Sequence, residues 1–229
     1  MRSIRLGLLG GLVLGLLATP AFADSGARYR VTVTNITKGQ TFTPILVTTH
    51  SPRIGLFEPG TPASPELEVL AEDGGTGPLT ELLEGLGSRL VADVETIPGL
   101  LAPGESRSVE IRARRRSRLS AAAMLIPTND TFFGLDTVRL PLYGSATYYA
   151  PAYDAGTEEN DQNCANMPGP RCDGDGLSAE PAEGDEGFVA IGNGFHDIGT
   201  VDAEGNEILG PFVYDWRNPV VRIDVQRLY

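Results

Sequence analysis

Strict alternation of apolar and polar side chains near the start of the chain is the feature that most constrains its fold. In Arg28–Ile36 (RYRVTVTNI), Tyr29, Val31 and Val33 alternate with polar residues. Because successive side chains of a strand point to opposite faces, this period of two predicts a half-buried β-strand. Similar patterns and short apolar runs predict eight further strands: Phe42–Thr49, Leu90–Ile97, Ser106–Arg114, Met124–Ile126, Thr137–Leu142, Thr147–Tyr149, Phe188–Ile191 and Val220–Leu228.

Helical signals are few and short. Ser64-Pro65-Glu66 has the order of an N-cap, a proline in the first turn and an early acid, and the run ends at Gly74-Gly75. Five leucines from Leu79 to Leu90 follow helical spacing, although Gly85 and Gly87 weaken that helix. Many short strands with two short helices predict an all-β sandwich with decorated loops, as a single domain over residues 24–229.

The first 23 residues predict a signal peptide. Arg2 and Arg5 precede the apolar stretch Leu6–Leu17, and Ala21-Phe22-Ala23 supplies the small residues that a signal peptidase requires. A membrane anchor is the alternative, but about 12 apolar residues are too few to cross roughly 30 Å of hydrocarbon. We therefore expect cleavage after Ala23 and a secreted protein, either extracellular or periplasmic.

Export favours a structural role for the two cysteines. Cys164 and Cys172 are the only cysteines, and Pro168-Gly169-Pro170 between them suits a tight reversal of the chain. An oxidising compartment favours their pairing as a disulfide. Zinc is a poor alternative, because neither a second cysteine pair nor a histidine cluster accompanies them.

Acidic residues dominate the charge of the chain. There are 30 Asp and Glu against 18 Lys and Arg, a formal net charge of −12, which argues against a nucleic-acid binder because phosphate contacts need a basic face. Ten of these acids lie between Asp154 and Glu186, among frequent Gly and Pro. Such a segment cannot bury enough surface to offset its ordering entropy unless something holds it. We predict an acidic loop insertion over about 159–186, held by the disulfide and by a bound cation.

Three carboxylates are the candidate ligands of that cation. Asp154 and Glu158 lie on either side of Gly156, and Asp130 in an earlier loop could supply a third carboxylate. Ca²⁺ takes about six to eight oxygen ligands, usually from loops, and clustered carboxylates repel each other without a cation. A plain acidic surface loop is the alternative. The fragment DGDG at 173–176 lacks the rest of an EF-hand loop and is interpreted as a solvated linker.

The two histidines indicate structural roles. His196-Asp197 resembles the doublet of metal phosphohydrolases, but His50 is the only other histidine and lies far away in sequence. No G-x-S-x-G motif is present for a serine nucleophile. We therefore expect a protein that binds and does not catalyse.

A cluster of arginines follows one predicted strand. Its five members are Arg112, Arg114, Arg115, Arg116 and Arg118. They can form a solvated strand end that offsets the acidic excess, or an edge that binds acidic polysaccharide, because guanidinium groups suit sulfate and carboxylate. The sequence leaves both interpretations open.

Two linked motifs resemble the spondin N-terminal domain family. They are MLIPTNDTFFG at 124–134 and AYDAGTE at 152–158. Shorter matching pieces are THSP at 49–52, LAEDG at 70–74 and DWRNPV at 215–220, so the resemblance extends over about residues 27–227.

The resemblance implies a C2-type β-sandwich that carries a calcium ion in loops at one end. The implied ligands are Asp130, Asp154 and Glu158. Glu158 stands where the family more usually has Asp, and Thr131 stands where animal members have Trp, so the calcium affinity is expected to differ. Animal members use the domain for adhesion to matrix, cell-surface receptors or glycans.

We therefore expect a monomeric, secreted, non-catalytic, calcium-binding module for adhesion or envelope interaction. Its partner would be an extracellular protein or glycan. One alternative is a glycan-binding module that recognises acidic polysaccharide through the arginine cluster. Another is an exported metal-dependent hydrolase, against which the scarcity of histidine argues.

Overall fold

The structure is a computed structural model that describes residues 26–172, 174, 176–177, 184–197 and 199–229. Strands account for most of its regular structure. In chain order they are β1 (Ala27–Asn35), β2 (Thr41–Phe42), β3 (Ile45–His50), β4 (Val91–Ile97), β5 (Ser106–Ala113), β6 (Arg118–Ile126), β7 (Thr131–Arg139), β8 (Ser145–Ala150), β9 (Ala152–Asp154), β10 (Ala190–Ile191) and β11 (Val221–Arg227).

Two antiparallel sheets pack against each other. The smaller sheet has the order β5-β1-β11-β8, and the larger has the order β10-β9-β7-β6-β3-β4 with β2 paired to β6. In β1 the alternating residues Val31 and Val33 are fully buried, and they lie opposite Val225 and Ile223 of β11. These side chains share one apolar core with Phe133 of the larger sheet. The all-β sandwich predicted from the sequence is confirmed.

Helices form a second apolar layer on the outer face of the larger sheet. α1 (Pro65–Glu72) and α2 (Gly77–Gly85) pack leucines against Leu46, Ala122 and Phe132 of β3, β6 and β7. α1 begins as predicted, because the Ser64 side chain accepts a hydrogen bond from the Leu67 N–H at 3.2 Å. α2 ends at Gly85, before the predicted Leu90, and a third short helix, α3 (Pro211–Tyr214), was not predicted.

The central strands explain the two largest errors in the predicted boundaries. β6 begins at Arg118 and not at Met124, and β7 begins at Thr131 and not at Thr137. In β6 every residue after Arg118 is buried, because the sheet core covers one face and the helices cover the other. A strand buried on both faces has no apolar–polar alternation, so the period-two signal is absent.

Two further predicted strands are shorter or divided. Phe42–Thr49 is interrupted at Thr43-Pro44 between β2 and β3, since proline has no N–H to donate to a ladder. The predicted Phe188–Ile191 retains only its last two residues as β10.

The predicted disulfide joins Cys164 to Cys172, with their Cα atoms 5.0 Å apart. The acidic loop has other attachments as well. Cys164 N–H donates to the Glu207 carbonyl at 2.8 Å, and Leu209 N–H donates to the Gln162 carbonyl at 2.8 Å. The loop is therefore held by the 199–214 segment in addition to the disulfide.

The predicted signal peptide, residues 1–23, lies outside the described residues, as do Asp173 and Asp175 of the DGDG fragment. In the part of the chain that the structure describes, no helix has the length and apolar character needed to cross a bilayer.

Candidate functional site

The pairing of β7 with β9 brings the two sequence motifs together. Thr131 at the start of β7 lies opposite Asp154 at the end of β9. Asp130 precedes this pair, and its carbonyl accepts a hydrogen bond from Ala155 N–H at 3.2 Å. Asp130 and Asp154, separated by 24 positions in the sequence, therefore share one end of the larger sheet.

Gly156 makes the turn that directs the second motif back toward Asp130. Its φ is +70°, a conformation that favours glycine. A Cβ atom at this position would lie 2.3 Å from the carbonyl oxygen of Phe188, so the backbone approach admits no side chain. After this turn, Thr157 and Glu158 point their N–H groups at the Asp130 carboxylate.

Asp130 is a fully buried carboxylate with one oxygen bound and the other unpartnered. Its Oδ2 accepts from Thr157 N–H at 2.8 Å, Thr157 Oγ1 at 3.3 Å and Glu158 N–H at 3.3 Å. Its Oδ1 is buried and has no hydrogen-bond partner among the described residues, and the same holds for Oε2 of Glu158. Buried polar atoms are normally satisfied, so two unpartnered oxygens on carboxylates whose charges act on each other point to a missing positive partner.

The pKa values of all three candidate ligands are raised. Burial, reinforced by the charge of Asp154, raises the pKa of Asp130 to about 7 against its hydrogen bonds. Burial raises the pKa of Asp154 to about 6. Burial and the charges of Glu72 and Asp130 raise the pKa of Glu158 to about 8. Desolvation disfavours an ionised carboxylate, so each group needs either a proton or a nearby cation.

Two acidic side chains near the site were missed in the sequence. Glu72, fully buried at the end of α1, contributes the largest charge effect on Glu158. Glu186 is linked to the site through Asn160, whose Nδ2 donates to Asp154 Oδ2 at 2.7 Å and to Glu186 Oε1 at 3.3 Å. No local spacing could have found them, because they lie 86 positions before and 28 positions after Glu158.

A small cavity opens beside Asp154. Its volume is about 200 Å³, and Asn160, Glu186 and His196 also line it. Solvent and small ligands can therefore reach Asp154 from one side. The Asp130 side chain, in contrast, is fully buried.

The ligand atoms of this site are of the type that Ca²⁺ prefers, but the side chains that carry them do not converge closely. Carboxylate oxygens are hard ligands of the kind that calcium prefers. Among the described residues, however, no three His, Cys, Asp or Glu side chains converge closely enough to form a ready-made metal centre. Calcium also accepts backbone carbonyl and water oxygens, so the carboxylates need to supply only part of its shell.

Four of the five candidate arginines come together, and the fifth does not. Arg114, Arg115, Arg116 and Arg118 line one cavity of about 410 Å³ at the start of β6. Arg112 instead pairs with Asp93 through two side-chain hydrogen bonds of 3.1 Å.

The two histidines have different surroundings. His50 is fully buried, and its ring nitrogens lie 2.9 Å from the Ser51 carbonyl and 2.7 Å from Ser120 Oγ. This is the hydrogen-bonded structural role predicted for it. His196 is exposed and lines the cavity beside Asp154.

Comparison with known proteins identifies a family. A family model described as Spondin_N matches residues 33–165, which is more than half of the chain. The matched range contains Asp130, Asp154 and Glu158. A search of curated proteins found no match.

Proposed function

Because the chain belongs to the spondin N-terminal domain family, we propose that it is an exported calcium-binding module that mediates adhesion or envelope interaction. The family consists of non-enzymatic extracellular domains. The Cys164–Cys172 disulfide is consistent with an oxidising compartment. Cleavage of residues 1–23 during export is part of the proposal.

The observation that carries the calcium proposal is the pair of unpartnered buried oxygens, Asp130 Oδ1 and Glu158 Oε2. With Asp154, these side chains would hold the ion. Calcium supplies positive charge that neutralises mutually repelling carboxylates in a desolvated place. Asp130 also orders the loop after Gly156, because its carboxylate accepts hydrogen bonds from the Thr157 and Glu158 N–H groups.

Calcium binding at this site would appear as folding stability, because the ion binds the folded chain and not the unfolded one. At a calcium concentration about 100-fold above its Kd, the gain is about 2.7 kcal/mol. For a chain of this size, that gain raises Tm by about 5 to 10 °C. Thermal melts of chelator-treated protein with added calcium measure it.

The matched variants are Asp154→Asn and Glu81→Gln. Both remove one negative charge, but Glu81 is exposed on α2 and is not among the charges that raise the pKa values of Asp130, Asp154 and Glu158. Asp154→Asn should abolish the calcium-dependent rise in Tm, and Glu81→Gln should retain it. If added calcium leaves the melt of metal-free protein unchanged, the proposed site is wrong.

The adhesive part of the proposal is tested separately. Binding to immobilised extracellular proteins and to a glycan array, each with calcium and with chelator, separates a protein-binding module from a glycan-binding one. Calcium-dependent binding that Asp154→Asn removes would support the proposal. Turnover of an exported substrate by the calcium-loaded protein would contradict it.

A further inference from the structure

The cavity of about 410 Å³ at the start of β6 is lined by six arginines. Besides Arg114, Arg115, Arg116 and Arg118 it includes Arg139 at the end of β7 and Arg227 at the end of β11. They come from three separate places in the sequence, and the sandwich brings them to one end. The remainder of the lining is largely apolar and includes Ala27, Leu140 and Leu142.

These arginines lack the carboxylate partners that other arginines of the protein have. Arg28 and Arg30 pair with Glu110, Arg112 with Asp93, Arg171 with Glu207, Arg217 with Asp215 and Arg222 with Asp224. Among the described residues, none of the six cavity arginines lies within 4.0 Å of a carboxylate oxygen. In an acidic protein, six unpaired cations around one cavity are complementary to an anionic partner.

Two features of these arginines are unfavourable for folding. Arg118 and Arg139 lie directly opposite each other in the β6–β7 ladder, where like charges destabilise a strand pair. Arg116 adopts a φ of +72°, which is uncommon for a side chain other than Gly, Asn or Asp. A bound anion would relieve the repulsion between Arg118 and Arg139, whereas the conformation of Arg116 costs free energy with or without a partner.

Two large apolar side chains project beside the arginines. Leu142 and Tyr143, in the turn between β7 and β8, are 73% and 87% exposed. The turn is fixed in place: the Pro141 carbonyl accepts from Tyr29 Oη at 3.1 Å, and the Leu142 carbonyl accepts from the Arg227 guanidinium. The Gly144 carbonyl also accepts from Arg227 N–H at 2.9 Å. The side chains therefore point outward from an anchored backbone.

We propose that this end of the sandwich docks on an anionic lipid surface. The six arginines would contact lipid phosphates, and Leu142 and Tyr143 would enter the boundary between headgroups and acyl chains. Guanidinium groups bind phosphate oxygens bidentately, and basic side chains near an anionic membrane each add to the attraction. Tyrosine and leucine beside basic residues are typical of surfaces that bind at a membrane interface.

Lipid fits this surface better than an acidic polysaccharide does. A sulfated or uronate polymer explains the arginines and can stack a sugar ring on Tyr143, but it offers no hydrocarbon phase to cover the exposed Leu142. The acidic site does not oppose docking, because it lies past the other end of β6. β6 has nine residues, so at about 3.3 Å per residue it spans roughly 26 Å, well beyond a Debye length of about 10 Å at 0.1 M salt.

Vesicle co-sedimentation in chelator tests this proposal independently of the calcium site. The intact protein should bind phosphatidylcholine vesicles that contain phosphatidylglycerol and not vesicles of phosphatidylcholine alone. Arg115→Glu with Arg116→Glu should lower the partition coefficient about 20-fold or more, since each lost basic group near an anionic surface lowers it about fivefold. Leu142→Ser with Tyr143→Ser should lower it about tenfold or more.

The matched control is Arg107→Glu with Arg222→Glu, which changes net charge equally at exposed positions outside the cavity. This control should retain most of the binding. Equal loss in both charge-reversal pairs, or equal binding to neutral and anionic vesicles, would overturn the proposal. So would an absence of vesicle binding together with capture on sulfated polysaccharide resin that depends on the arginines and not on Leu142 or Tyr143.

Discussion

The two ends of the sandwich carry opposite charge in opposite environments. At one end Asp130, Asp154 and Glu158 are almost fully buried, and each has a raised pKa. At the other end Arg115, Arg116 and their neighbours stand around an open cavity. Burial removes most of the water that would stabilise the charges of these carboxylates, so the acidic end affects the free energy of unfolding directly. Exposed arginines remain hydrated, so their concentration affects binding far more than folding.

The largest difference between the ends should appear in the pH dependence of stability without calcium. The folded-state pKa values of about 6 to 8 lie above the ordinary values of 3.8 and 4.5. Folded protein therefore holds protons that the unfolded chain releases, and stability falls as pH rises through that window. From pH 5.5 to pH 8 we expect Tm in chelator to fall by about 10 °C.

Asp130→Asn provides the control for this pH effect. It removes the most deeply buried of the three ionisable groups while it keeps a similar shape, so the fall in Tm should become smaller, and the remaining fall comes from Glu158 and Asp154, which still titrate. Saturating calcium should also flatten the profile of the wild type, because the ion replaces the protons. A Tm in chelator that rises across the same range would show that the acidic end is not desolvated as the structure indicates.

The sequence predicts those features of each end of the sandwich whose residues lie close together along the chain. β1 was predicted because its alternation reports one buried face, whereas β6 was predicted only at its last residues because both of its faces are buried. The acidic end was identified through motifs, since Asp154 and Glu158 are close in sequence and Asp130 belongs to a linked motif. Glu72 is not predicted as part of the site, because only the tertiary packing of α1 against the sheet brings it near Glu158.

The sequence predicts only part of the arginine end. Arg114–Arg118 form a local cluster, but Arg139 and Arg227 reach the same cavity through strand order. The exposure of Leu142 also depends on how the β7–β8 turn is tied to β1 and β11. Sequence alone therefore suggested a basic edge, and the apolar part of that surface required the fold.

A smaller contrast concerns one glycine at each end. Gly156 and Gly144 have φ values of +70° and +62°, but only at Gly156 would a Cβ meet the backbone, 2.3 Å from the Phe188 carbonyl oxygen. Gly156→Ala should lower the free energy of unfolding by about 3 kcal/mol, and Gly144→Ala by about 1 kcal/mol. Urea denaturation measures both. Equal losses would mean that the acidic loop can open away from Phe188 without cost.

The smallest effect concerns Arg116, where conformation and charge can be separated. Arg116→Gly relieves a φ of +72° and should stabilise the protein by about 0.5 to 1 kcal/mol, whereas Arg115→Gly, in the same turn without a positive φ, should destabilise it by a similar amount. Both remove one cavity cation, so both should weaken binding to anionic vesicles alike. Urea denaturation measures the stability of both variants, and co-sedimentation with vesicles measures their binding. Equal weakening of vesicle binding in both variants would show that the arginines act through their charge. If only the destabilised Arg115→Gly variant loses binding, the folded conformation of this turn and not its charge determines the binding.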